Sequence, residues 1–339
     1  MENNYANIQK KWTRRDFIKI TAGMGGVLLG GGLIRTLFAP HLTLVHDSRL
    51  LMGTIVNLTV MAESEAQGQA AINATYAAMT QLIQLFDYRR SDTELSQLNQ
   101  TGSLANPSPE LVNLMRNAIW HSELSDGAFD VTVLPVLEAY QANHQPTDQE
   151  RQLVDYRKIH IQEDKIQFMQ PGMAVTLDAI AKGRIVDGGV SQLKKIGYDN
   201  ILVEAGGDLL ASGKHPDGEP WKIGVINPRA VTEKKWLATF SVQDQAVATS
   251  GDYQNAFTSD YTRNHIIDPH TGQSPSELAS VTTIASTVME ADAFSTTLMV
   301  LGVEKGLRLV EQLPGIEAFL VTKELKTYRS SGFPSFQNS

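Results

Sequence analysis

Apolar and polar side chains alternate from Thr54 to Met61, which predicts a half-buried strand. Directly afterwards the period lengthens. Ala71, Ala74, Ala78, Leu82 and Leu85 recur at helical spacing and predict a helix over 66–86. Ser108-Pro109 opens another helix, with Ser as N-cap and Pro in the first turn. Leu111, Leu114, Met115 and Ala118 give its buried face, and Gly127 ends it. Residues 141–150 are polar, contain Pro146 and read as a surface loop. A helix over 182–196, stopped by Gly197, leads to a strand at 201–203. Short strands are predicted at 221–226, 236–242 and 246–249. Helices at 290–301, capped by Gly302, and at 306–313, stopped by Pro314, precede a last strand at 316–322. The mixture lacks regular alternation, so the expected class is α+β rather than a doubly wound sheet. No repeat, low-complexity tract or long linker interrupts residues 41–339, which are read as one domain.

The N-terminus has a different pattern. Thr13-Arg14-Arg15-Asp16-Phe17-Ile18-Lys19 precedes a weakly apolar, Gly-rich run from Ile20 to Ile34. Residues 1–40 therefore read as a twin-arginine (Tat) export signal, or as an N-terminal membrane anchor if left uncut. The expected location is the periplasm or the outer face of the cytoplasmic membrane. The glycines at 23–32 follow no strand and lack the spacing of a dinucleotide fingerprint. The chain contains no cysteine, which excludes disulfides, thiolate catalysis, Cys-ligated metals and a lipoprotein anchor.

Charge narrows the partners. The first forty residues carry six basic and two acidic side chains, so the remaining body is more acidic than the net −8 of the whole chain. Such a body is a poor partner for nucleic acid. If it binds a dinucleotide, a metal is needed to offset the phosphates.

Four regions are richer in Gly, Asp, His and Thr than a plain core requires. Asp126-Gly127-Ala128-Phe129-Asp130 reads either as a helix C-cap with a buried Phe or as an aromatic ring beside exposed backbone, able to stack on a flat ligand. Thr176 to Gly183 runs from a strand into a helix start; it is either an N-cap Asp178 with a solvated Lys182, or a phosphate cradle with its lysine. Glu204-Ala205-Gly206-Gly207-Asp208 is a tight turn, or a place where a ligand approaches backbone. The fourth combines Thr249–Tyr253, His265–Pro269 and Ala291–Thr297. There Asp292 and Thr296 stand four apart on a helix, a hard oxygen pair suited to Mg²⁺. Alternatively, Asp292 caps the helix and Thr296 bonds back to it.

The order of these segments is more specific than any one of them. Met52-Gly53-Thr54, the run Phe86–Asn99, Asp126–Thr132, Ile180–Gly183, Ala205–Asp208, Ala248–Tyr253, His265–Gly272 and Glu290–Thr296 together resemble the ApbE family of FAD:protein FMN transferases. The resemblance implies an α+β fold with mixed or antiparallel sheets and FAD in a cleft, with Mg²⁺ on its diphosphate. Carried over by position, it implies that Met52, Arg89, Ala128, Phe129, Asp130, Thr176, Lys182 and Ile267 contact FAD. Arg89 stands where many relatives have an aromatic, and Thr176 where many have Asp. Ala179, through its carbonyl, and Asp292 and Thr296 are the implied Mg²⁺ ligands. Ser295 replaces a third acidic ligand of some relatives. His265 is the implied activator of the acceptor hydroxyl.

The implied activity moves FMN from FAD to a Thr or Ser hydroxyl of an acceptor flavoprotein or membrane redox subunit, with release of AMP. An FAD diphosphatase and a non-catalytic FAD-binding maturation factor are the alternatives.

Overall fold

The computed structural model describes residues 42–233 and 235–336, so the Tat-type segment expected at 1–40 lies outside the described residues. In chain order the elements are β1 (Thr43–Leu51), β2 (Thr54–Ala62), α1 (Glu65–Phe86), α2 (Glu94–Thr101), β3 (Ser103–Ala105), α3 (Pro109–Leu124), α4 (Leu134–Gln141), α5 (Asp148–Gln152), β4 (Ile159–Ile161), β5 (Lys165–Phe168), α6 (Asp178–Lys195), β6 (Ile201–Ala205), β7 (Asp208–Ser212), β8 (Trp221–Ile226), β9 (Trp236–Val242), β10 (Gln245–Gly251), β11 (Leu278–Ala285), α7 (Val288–Val310), β12 (Glu317–Thr322) and β13 (Thr327–Arg329).

Eight strands form one sheet in the order β1-β2-β6-β7-β10-β11-β12-β13. Neighbouring strands in it run antiparallel. Alternation along each strand divides the core between the two faces. Leu210, Ala246, Ala248, Val281, Ala318 and Leu320 join a large cluster with residues of α1, α6 and α7. Their sequence neighbours Leu209, Ala211, Val247, Phe319 and Val321 turn the other way, onto Trp221, Val225, Phe240 and Val242 of the β8–β9 ribbon. Helices thus cover one face of the sheet and the ribbon covers part of the other. The α+β class read from the sequence is the class observed.

Boundaries differ where local bonding adds what periodicity does not show. Helix α6 begins at Asp178 rather than 182, so Ala179 to Lys182 belong to its first turns. The expected loop at 141–150 ends in the short helix α5, started by a capping box between Thr147 and Glu150. Gly302 does interrupt α7, with φ 75° and ψ −173°.

His121 on α3 is buried, and neither ring nitrogen has a hydrogen-bond partner. Its ring centroid lies 5.7 Å from that of Phe129 and 4.8 Å from that of Phe294. Burial depresses the imidazole from 6.5 to about 4. The fold therefore favours the neutral ring; this contribution is intact above the unfolded value and is lost as pH falls towards 4. The loss approaches about 3 kcal/mol. Replacing His121 with Leu should flatten the acid side of the stability–pH curve, read as denaturant midpoints at pH 7 and pH 4.5. Parallel curves for the two proteins would mean that His121 does not titrate in the fold.

Candidate functional site at the start of α6

Two hairpin tips meet at one end of the large sheet. Met52 and Gly53 join β1 to β2 with φ of 52° and 71°, the paired positive angles of a type I′ turn. Gly206 and Gly207 join β6 to β7. A Cβ on Gly206 would stand 2.5 Å from Thr54 Oγ1, so the two tips touch only because the residue is glycine. Met52 is half-buried against the core.

Helix α6 starts close to these tips. Thr176 is buried; its amide donates to Val131 O at 2.9 Å, and its hydroxyl accepts the Asp178 amide at 3.2 Å. The Thr176 hydroxyl thus serves the helix start. Asp178, the first helical residue, faces Arg89, which donates through Nη1 at 3.0 Å and through Nη2 at 2.5 Å. The Arg89 guanidinium also lies 4.2 Å from the Tyr88 ring centroid. Both carboxylate and guanidinium are about half exposed, so the pair adds at most about 1 kcal/mol to stability. Its importance is positional, because it ties the turn after α1 to the α6 N-terminus.

One turn further on, Lys182 Nζ pairs with Asp208 and stands 3.7 Å from Asp292 Oδ1. Asp208 and Asp292 are both buried. Asp292 Oδ2 accepts the Gly183 amide at 2.9 Å. The helical acceptor of that amide is the Ala179 carbonyl, so Ala179 and Asp292 are brought to the same spot. Burial pushes the Asp292 carboxyl up, against the opposing pull of Lys182 and the Gly183 amide.

Hydroxyls complete this side. Ser250 Oγ, on β10, lies 2.7 Å from Ser295 Oγ and 3.1 Å from Thr296 Oγ1. Ser295 also donates to the Asp292 carbonyl at 2.8 Å, so its hydroxyl is engaged with its own helix. A buried carboxylate, a hydroxyl at Thr296 and a nearby helix-start carbonyl form an all-oxygen set that fits Mg²⁺ better than a softer metal. Among the described residues no group of three or more His, Cys, Asp or Glu side chains is placed to hold a metal.

His265 lies within electrostatic reach of both Asp178 and Lys182. Its Nδ1 is buried without a hydrogen-bond partner. Burial holds the imidazole below the usual histidine value, against the Gln254 backbone and the Asp178 charge, with Lys182 adding to the lowering.

The other expected residues take structural positions. Ala128 and Phe129 are buried, and Phe129 joins the main core. Asp130 Oδ1 accepts from the Thr132 amide and hydroxyl at 2.8 and 2.6 Å, and Oδ2 from the Tyr156 amide at 3.0 Å. Ile267 packs with Leu134, Leu137 and Tyr140 of α4. A polar depression of about 190 Å³ lies between the Asp126–Asp130 turn and Pro269-His270. Neither Lys182 nor Asp292 lines it.

Two acids with clear structural roles were given none from the sequence. Asp208 heads an apolar strand, a costly place for an unpaired charge. Asp187 reaches from α6 to accept the Val288 and Met289 amides, each at 2.9 Å, at the start of α7.

This arrangement defines a class of site suited to a phosphate-bearing ligand and a hard cation at a helix start. The chain belongs to the ApbE family, which it matches over residues 52–320. An FAD:protein FMN transferase from Vibrio cholerae is 32% identical over 311 residues, spanning 86% of this chain and 92% of that protein. One from Haemophilus influenzae is 35% identical over 242 residues, 66% of this chain and 70% of that protein. Among solved structures, the flavin transferase ApbE from Vibrio cholerae superposes with a TM-score of 0.76 at 30% identity, over 86% of this chain and 98% of that one. The apo flavinyl transferase ApbE of Pseudomonas stutzeri gives 0.74 at 30% identity, over 88% and 98%.

Close approach of α6 to α7 brings Lys182 and the Gly183 amide to Asp292. A Cβ on Gly183 would lie 2.4 Å from the Val288 carbonyl oxygen, a backbone atom, whereas one on Gly188 would meet the flexible end of Leu82. Gly183→Ala should therefore destabilise by about 1–3 kcal/mol, and Gly188→Ala by less. Urea midpoints compare the two, and equal losses would contradict the rigid backbone contact at Gly183.

Proposed function

We infer that this chain is an Mg²⁺-dependent FAD:protein FMN transferase, exported by the Tat route, that acts on flavoproteins facing the periplasm. The observation that carries the chemistry is the placement of Lys182, Asp292 and His265 around the start of α6, with Thr296 one turn beyond Asp292 on α7. The names of the relatives support the reaction. The export reading rests on the twin arginines and the apolar run after them.

Asp292, Thr296 and the Ala179 carbonyl would hold the cation. When bound, Mg²⁺ supplies charge neutralisation on the FAD diphosphate. Lys182 places a second positive charge beside the same phosphates, and the α6 amides add their partial charge. A Thr or Ser hydroxyl of the acceptor attacks the phosphorus of the FMN half. The new P–O bond forms as the bond to the AMP oxygen breaks, and AMP leaves. His265, kept neutral by burial, takes the hydroxyl proton. The product is FMN in phosphoester linkage to the acceptor.

The test combines the chain, FAD, Mg²⁺ and an acceptor domain bearing a Thr, followed by in-gel fluorescence and intact mass. One added FMN, lost on chelation, is the expected result. His265→Ala should slow single-turnover transfer by about 10²–10⁴-fold, and Asp292→Ala should abolish metal-dependent turnover while circular dichroism stays native. Release of free FMN and AMP without labelled acceptor would replace transferase by diphosphatase.

A further inference from the structure

His265 is held by the residue before it. Asn264 is fully buried, and all its polar groups are used. Its Oδ1 accepts the Ile266 amide at 3.0 Å, so the side chain spans the backbone of His265. Its amide donates to Ser274 Oγ at 2.9 Å, and that hydroxyl donates back to the Asn264 carbonyl at 2.9 Å. Its Nδ2 donates to the Tyr261 carbonyl at 3.3 Å. The His265 backbone is thereby fixed from both sides; its ring is bonded to the Gln254 backbone, while Nδ1 has no hydrogen-bond partner.

The Tyr261 end is fixed in turn. Lys323 Nζ donates to the same Tyr261 carbonyl at 3.5 Å, and the Arg229 guanidinium lies 4.8 Å from the Tyr261 ring centroid. Both cations converge on Asp252, which is wholly buried. Arg229 donates through Nη1 and Nη2 at 2.7 and 2.8 Å, and Lys323 Nζ stands 3.7 Å away. Asp252 begins the loop that ends at Asn264. Its own amide donates to Ala279 O at 2.9 Å. Bonding between Phe257 and Arg263 and a bridge between Ala256 and Asn264 close the loop on itself. One buried carboxylate therefore anchors the loop at its start and, through Arg229, Lys323 and Tyr261, near its end.

We propose that Asn264 is a positioning residue for His265, and that the Arg229–Asp252–Lys323 cluster is its anchor. The proposal rests on His265 acting as the proton acceptor of the transfer step. Misplacing a reacting group by about 1 Å can cost about 10²-fold in rate. Loss of Asn264 should therefore slow chemistry without changing FAD affinity, because none of its bonds reaches the α6 N-terminus.

A double-mutant cycle on the full chain tests this, with single-turnover FMN transfer and FAD affinity both measured. Asn264→Ala alone should slow transfer by about 10²-fold at unchanged FAD affinity. Asn264→Asp keeps the acceptor for the Ile266 amide but loses the donor to Tyr261, and should retain an intermediate rate. Added to His265→Ala, Asn264→Ala should cost less than about twofold more, since residues acting through one another are non-additive. A slow His265→Ala enzyme whose loss multiplies with that of Asn264→Ala would overturn the positioning role alone. A His265→Ala enzyme as fast as the native chain would overturn both the proton-acceptor role and this one. Weakened FAD binding in Asn264→Ala would also overturn the proposal.

Discussion

The contact between α6 and α7 is the constraint on which the site depends. Gly183 lets the backbone of one helix lie against the first turn of the other. At that distance its amide reaches the Asp292 carboxylate, and Asp187 one turn later supplies acceptors for the free amides of α7. The same contact brings Lys182 towards Asp292. A larger residue at 183 would separate Lys182 and the Gly183 amide from the Asp292 carboxylate. Packing and chemistry are set here by one missing methyl group.

The fold was legible in elements such as β2 and α1, each of which turns one face to water. The alternation of β2 and the helical repeat of α1 were visible because their outer sides are polar. Strands β7 and β11 escaped because every residue in them is buried, which leaves no period to read. The start of α6 was misplaced because Thr176, rather than an N-cap side chain, accepts the first amide.

At the site, the i,i+4 spacing of Asp292 and Thr296 was readable from the chain, as was a helix near Lys182, though not the residue at which it starts. The pairing of Arg89 with Asp178 was not. It joins residues 89 positions apart, and no local pattern encodes such a contact. Asn264 was hidden for a different reason. Its effect comes from two side-chain hydrogen bonds, to the Ile266 amide and the Tyr261 carbonyl, and a lone Asn before a His looks like any other polar loop residue.

Strand β10 has a further consequence. Ser250, in its last residues, touches Ser295 and Thr296, and Asp252, just beyond its end, anchors the loop that bears His265. Both halves of the site are thus referenced to the same few residues of one inner strand. When the sheet breathes, an excursion of that strand carries both halves in the same direction. The spacing between them is then preserved to first order, as two instruments bolted to one beam keep their alignment while the beam vibrates.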